Sequence, residues 1–122
     1  MIAERLLIDT NVLIHHWNGD PRTTPLLNGH VLHASFVTEI EILGFHGYTA
    51  AERNKVLTDL QAMRIVDLEA GIKAKAIDLR WRYRLKLADA LIAATAILLK
   101  IPLVTQDKHF KKLKEEITLY LL

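Results

Sequence analysis

The sequence predicts an α/β fold: a central parallel sheet of four to five strands with helices on both faces, three layers in all. Two observations predict it. Short apolar runs alternate with helical patterns along all 122 residues, the signature of right-handed strand–helix–strand crossovers. The first apolar run, Leu6-Leu7-Ile8, stops at Asp9-Thr10-Asn11, and apolar Val12-Leu13-Ile14 follows at once. Such a strand-to-helix switch is where open α/β sheets place their ligands. The length fits one domain over residues 1–122, with enough chain for a core.

The elements read in order. Arg5–Ile8 is a buried strand and Thr10–Trp17 a helix, ended by the turn cluster Asn18-Gly19-Asp20-Pro21. Thr23–Asn28 is a short helix. Val31–Ser35 is the second strand, after Asn28-Gly29, and Thr38–Leu43 a helix stopped near Gly44 and Gly47. Ala51–Met63 has Val56, Leu57, Leu60 and Met63 on one helical face. Arg64–Leu68 is a strand. Glu69–Tyr83 is a helix with Ile72, Ala76, Leu79 and Tyr83 at helical spacing. Leu87–Lys100 is apolar nearly all round, as in a helix buried against the sheet and its neighbours. Pro102–Val104 is a strand, and Ile117–Tyr120 is a fifth.

Composition excludes several chemistries. There is no cysteine, hence no disulfide, thiolate metal site or cysteine nucleophile. Met1–Arg5 lacks the basic-then-apolar order of a signal peptide, and the apolar run Ala90–Leu99 is too short to span a bilayer. A cytoplasmic protein is the expectation. Net charge is +2 but uneven. Residues 1–70 hold 5 Lys/Arg and 9 Asp/Glu, a balance of −4, whereas residues 71–122 hold 11 and 5, a balance of +6. A basic half attracts a polyanion, or else is a solvated face.

Four acids fall at element ends. Asp9 follows the first strand, Glu41 lies after the second, Asp89 opens the apolar helix, and Asp107 follows Leu103-Val104-Thr105-Gln106. Singly, each has a local explanation. Asp9 caps a helix, Thr38 and Glu41 have capping-box spacing, Asp89 answers a helix N-terminus, and Asp107 makes a turn. Jointly, if the strands they follow are neighbours, the four meet on one edge. Clustered carboxylates repel one another, and a hard divalent ion, Mg²⁺ or Mn²⁺, relieves that repulsion through oxygen ligands. The histidines have no His-x-x-x-His spacing and read as surface or core residues rather than zinc ligands.

Four segments carry a family resemblance. They are Leu7-Ile8-Asp9-Thr10-Asn11, Ser35 to Gly44, Leu87 to Ala96, and Leu103 to Phe110. In order and spacing they resemble the four motifs of PIN-domain nucleases, most of all the VapC-type toxins of toxin–antitoxin pairs. The resemblance implies a PIN-like three-layer sandwich and a Mg²⁺- or Mn²⁺-dependent endoribonuclease. Asp9, Glu41, Asp89 and Asp107 are its implied metal-binding acids, and Thr105 is the hydroxyl that orients the last acid or a water. Asn11 and Thr38 are its implied supporting residues. Glu39 is the other acid of the second motif, but the family pattern and the spacing from Thr38 both select Glu41.

Substrate RNA is expected on Arg80, Arg82, Arg84 and Lys86, which lead into the Asp89 helix, and on Lys108. Trp81 and Tyr83 belong either to that surface or to the core or a dimer contact. The resemblance further implies a homodimer and an inhibitory antitoxin; the face pattern lines a partner groove with Leu13, His16 and Trp17 and the helix Val56–Met63, and offers the apolar helix Leu87–Lys100 to the dimer as well. The competing readings are an RNA-maturation nuclease outside any toxin pair, an idle PIN-like binding module, and a receiver-type phospho-acceptor. The last wants an acidic pair after the first strand, where this chain has Asp9 alone.

Overall fold

The computed structural model describes residues 3–122, so Met1 and Ile2 of the N-terminal stretch read above lie outside the described residues. Its core is a five-stranded parallel sheet in the order β3-β2-β1-β4-β5. The strands are β1 (Arg5–Ile8), β2 (Val31–Ser35), β3 (Arg64–Val66), β4 (Leu103–Thr105) and β5 (Leu119–Leu121). β1 lies at the centre, and its Leu6, Leu7 and Ile8 are fully buried. That is why it reads as a continuous apolar run rather than an alternating one.

Alternate residues of β1 feed two cores. Leu7 and Leu103 pack with Ile72, Leu79, Ala93 and Phe110, on the side of α5 (Ala70–Tyr83) and α6 (Leu87–Leu99). Leu6, Ile8 and Val104 pack with Val12, Leu13 and Leu60, on the side of α1 (Thr10–Trp17) and α4 (Ala50–Gln61). A short α2 (Thr23–Leu27) joins the second layer through buried Leu27. The 3₁₀ helix Lys108–Leu113 seals the first with Phe110 and Leu113. These layers are the three-layer sandwich that the strand–helix alternation predicts.

α3 (Phe36–Leu43) begins two residues before the predicted start. Ser35 supplies the cap, its hydroxyl accepting from the Val37 N–H at 3.1 Å. Thr38 and Glu41 therefore lie inside the helix, and their capping-box spacing is coincidental. The capping box of this chain is Thr49 with Glu52, at the start of α4. α6 is fully buried from Ile92 through Ala96, yet Leu87 and Leu98 at its two ends are exposed. Arg84 and Lys100 close α5 and α6 in left-handed conformation, each with φ 56°. Among the described residues no helix is long and apolar enough to cross a membrane.

Candidate active site

Parallel pairing of β1 with both β2 and β4 brings three chain segments to one carboxyl edge. Leu7 lies opposite Leu103 and Ile8 opposite Val104, so the next pair is Asp9 and Thr105. The Asp9 N–H continues the ladder to the Val104 carbonyl at 2.9 Å. This register sets a short contact of the edge, in which the Thr105 hydroxyl donates to Asp9 Oδ2 at 2.7 Å. The same oxygen of Thr105 accepts the Asp107 N–H at 3.0 Å. One fully buried hydroxyl thus ties the first acid to the backbone of the last.

Asp9 is also the N-cap of α1, with Oδ1 accepting from the Thr10 N–H at 2.9 Å. The local explanation for this acid, a helix cap, holds, and the same carboxylate also takes the Thr105 bond. On the other side, Thr10 Oγ1 lies 2.7 Å from Glu41 Oε1 and 2.9 Å from Thr38 Oγ1. A hydroxyl carries one proton, and the carboxylate is the stronger acceptor. Thr10 therefore donates to Glu41, and Thr38 supplies the other bond. Thr38 is fully buried, so the pair fixes how α3 presents Glu41 to the edge. Glu39 takes no part in these bonds.

Burial pushes the Asp9 carboxyl above its ordinary range, and the negative charges of Asp89 and Asp107 push it further. The Thr105 hydroxyl and the Thr10 N–H pull the other way. Burial likewise raises Asp89, followed by the charge of Asp107. Glu41 adds to that rise, while Lys86 and His109 oppose it. Asp107 caps the 3₁₀ helix and spends one oxygen, Oδ1, on the His109 backbone N–H and on His109 Nδ1, each at 2.8 Å. Asp9 thus feels Asp89 and Asp107, and Asp89 feels Asp107 and Glu41. Among the described residues, however, no three His, Cys, Asp or Glu side chains converge tightly enough to hold an ion by protein ligands alone.

A family model described as the PIN domain matches residues 6–116. The chain belongs to the PIN-domain family. The PIN sandwich is also shared with solved structures. A "Toxin-antitoxin complex from Klebsiella pneumoniae" superposes with a TM-score of 0.82 at 29% identity, covering 96% of this chain and 99% of that one. VapBC2 from Rickettsia felis, bound to a DNA fragment from its promoter, gives 0.78 at 20% identity, covering 97% and 98%. FitAcB from Neisseria gonorrhoeae gives 0.77 at 21%, covering 94% and 96%. At such identities the last two bear on the fold alone. No curated protein matches the sequence at a significant level.

Around the acidic edge of the PIN domain, the basic residues separate into two kinds. The Arg82 guanidinium is committed to Asp78, at 2.6 and 2.9 Å, and to Glu116 at 3.0 Å, with its carbon 4.9 Å from the Tyr83 ring centre. It braces α5 against the C-terminal segment. Arg80 spends Nε on the Leu85 carbonyl. Arg84, Lys86 and Lys108 stand exposed, and Lys86 lies close enough to favour the charged form of Asp89. Trp81 is 86% exposed, so it is not a core residue, whereas Tyr83 packs partly into the core. Asn11 stands exposed in the first turn of α1, while Thr10 and Thr105 make the bonds to Asp9.

Two contributors escaped the sequence reading. Thr10 links two motifs from 31 residues away, and its only signal was its place directly after Asp9. His109 was read only as a surface or core residue, although it follows Asp107 by two.

A groove runs between α1 and α4, away from the acids. Leu13, His16, Trp17 and Met63 line a recess of about 720 Å³ there, with Lys55 and Asp59 on its wall. Trp17, Lys55 and Asp59 also line a second recess reaching Val56 and Tyr48. These are the elements that the sequence assigned to a partner groove.

Proposed function

We propose that this PIN domain is a Mg²⁺- or Mn²⁺-dependent endoribonuclease, the toxin of a toxin–antitoxin pair. The observation that carries the reading is the Thr105 hydroxyl joining Asp9 to Asp107 on the edge where Glu41 and Asp89 also arrive. Four acids without a cation repel the phosphodiester they are meant to cut, and Asp9 and Asp89 already resist ionisation. The donor set is oxygen throughout, which suits a hard ion. Mg²⁺ keeps several waters and needs only one or two carboxylates directly, so a loose ring of acids fits it.

Asp9, Glu41, Asp89 and Asp107 are the residues assigned to hold the ion. When bound, it supplies positive charge for the reacting phosphate and lowers the pKa of the attacking water. Thr105 and the Thr10 N–H orient Asp9. Thr10, backed by Thr38, orients Glu41, and Asn11 flanks the site. Arg84, Lys86 and Lys108 are the cations best placed to meet RNA phosphates. Arg80 and Arg82 act mainly by shaping the α5–α6 corner. Attack by water yields a 5′-phosphate and a 3′-hydroxyl, whereas attack by the substrate's own 2′-hydroxyl yields a 2′,3′-cyclic phosphate.

The PIN neighbour at 29% identity is a toxin–antitoxin complex. That likeness supports an antitoxin as partner here, with the α1–α4 groove as its seat, and the family supports a homodimer. The test is cleavage of single-stranded RNA by the purified chain. Cleavage with Mg²⁺, its loss in EDTA and in Asp9→Asn and Asp89→Asn, and 5′-phosphate ends support the reading. Cyclic-phosphate ends, or cleavage that persists in EDTA, defeat it.

A further inference from the structure

The turn that carries Asp107 is tied at a second point. Thr105 ends β4, Asp107 caps the 3₁₀ helix, and Gln106 is the one residue between them. Its side-chain amide meets Nδ1 of His15, in the last turn of α1, at 3.1 Å. The contact joins residues 91 apart in the chain. An amide offers both a donor and an acceptor from one end, so the tie forms whether or not that ring nitrogen carries a proton.

His15 is a braced anchor. The Asp20 N–H closes the chain behind it on the His15 carbonyl at 3.0 Å, and Asp20 Oδ2 stands 3.6 Å from the same Nδ1. Arg22 grips that carboxylate through Nε and Nη2, the shortest bond being 2.7 Å, and holds it well below the usual carboxylate range. The ring thus lies between a fixed charge and the Gln106 amide, and little rotamer freedom is left to lose when the tie forms. The Thr105 hydroxyl alone is a single point about which the turn pivots. A second contact on α1 fixes its rotation. The two points are well separated, since Asp9 caps the start of α1 and His15 lies about 9 Å further along it at 1.5 Å per residue.

We propose that Gln106 is a positioning residue: through His15 it fixes the turn that presents Asp107 to the ion. The inference rests on the nuclease reading and deepens it. Asp107 spends Oδ1 on His109, so the rotation of the turn decides where its other oxygen lies. Gln106 and His15 act through Asp107 and touch neither substrate nor ion in this role.

The test uses the full chain with Gln106→Ala, His15→Ala and His15→Asn. The His15 side chain is 46% exposed, so alanine there leaves the core intact, and asparagine puts an amide where Nδ1 lies and rebuilds the tie. In EDTA, hydrogen exchange is followed by NMR at the Asp107 amide, which is bonded to Thr105 Oγ1. Both alanine variants should exchange there about fivefold faster, the scale of one neutral hydrogen bond, and His15→Asn should return toward the wild type. In Mg²⁺, kcat on single-stranded RNA should fall about fivefold in both alanine variants with KM within about twofold, and the double alanine variant should lose no more than either single one. Unchanged exchange in both alanine variants overturns the proposal and leaves the nuclease reading standing. Exchange as expected, with no RNA cut even by the wild type, overturns the nuclease reading and the positioning role with it. A KM that rises in Gln106→Ala but not in His15→Ala makes Gln106 an RNA contact, and the proposal is wrong.

Discussion

Replacing Thr105 with valine removes one hydroxyl and almost no volume. Thr105 is fully buried, so its methyl packing is kept while two bonds go: the donation to Asp9 Oδ2 at 2.7 Å and the acceptance from the Asp107 N–H at 3.0 Å. A bond to a charged group contributes ~1.5–3 kcal/mol and a neutral one ~0.5–1.5 kcal/mol. Some of this returns as Asp9 takes up a proton. A net loss of about 2 kcal/mol at pH 7.5 without metal is expected. The pH dependence follows from the sign of the Asp9 shift. Its folded pKa lies above the unfolded value, so ionised Asp9 works against folding at neutral pH, and that penalty fades as pH falls through the folded pKa toward the unfolded one. The Thr105 bond is the largest influence pulling Asp9 down, so its loss widens the penalty. Urea denaturation in EDTA should show a larger Thr105→Val deficit at pH 7.5 than at pH 5. The acid limb of RNA cleavage should move to higher pH, and activity should fall by roughly 10–100-fold. A deficit under ~0.5 kcal/mol, or one equal at both pH values, would refute the reasoning.

Further consequences are open to direct measurement. Thr10→Val frees Glu41 from its anchor and should weaken metal binding by roughly 10–100-fold, read by calorimetry, while Glu39→Gln should leave it within about twofold. Burial and the nearby Arg5 hold the His33 imidazole below its ordinary pKa, with Nδ1 buried and unpartnered. Its contribution is intact above about pH 6.5 and falls as pH drops toward its folded pKa, so His33→Leu should lose less stability than the wild type between pH 7.5 and 5.5 in urea melts. Glu116, held at about 2 by Arg82, Tyr83 and Lys75, stabilises the fold above the ordinary carboxyl pKa and ceases to as pH falls through 2; Glu116→Gln should flatten the acid limb of thermal unfolding. Trp81→Ala should leave the melting temperature unchanged, since the side chain has almost no cover to lose.

The strands and helices were legible because burial leaves local patterns. β1 shows as an apolar run, and α5 places Ile72, Ala76 and Leu79 at helical spacing. The first-strand switch and the later acids were legible as motifs, which is why Asp9, Glu41, Asp89 and Asp107 could be named from the chain alone. What holds them was not. The Thr105–Asp9 bond spans 96 residues and the Thr10–Glu41 bond 31, and both depend on which strands are neighbours. Local pattern even misled at α3, where Thr38 and Glu41 have cap spacing but Ser35 is the cap. Arg82 looked like an RNA contact within a basic run. Its commitment to Asp78 and to Glu116, 34 residues on, emerges only from packing.

Calorimetric titration of Mg²⁺ or Mn²⁺ into the purified chain goes to the heart of the account. Saturable binding is expected for the wild type, with a gain in stability of ~2.7 kcal/mol at a hundredfold excess over the dissociation constant. Both should be lost in Asp9→Asn and in Asp89→Asn. Equal heats and equal melting curves for all three chains would contradict it.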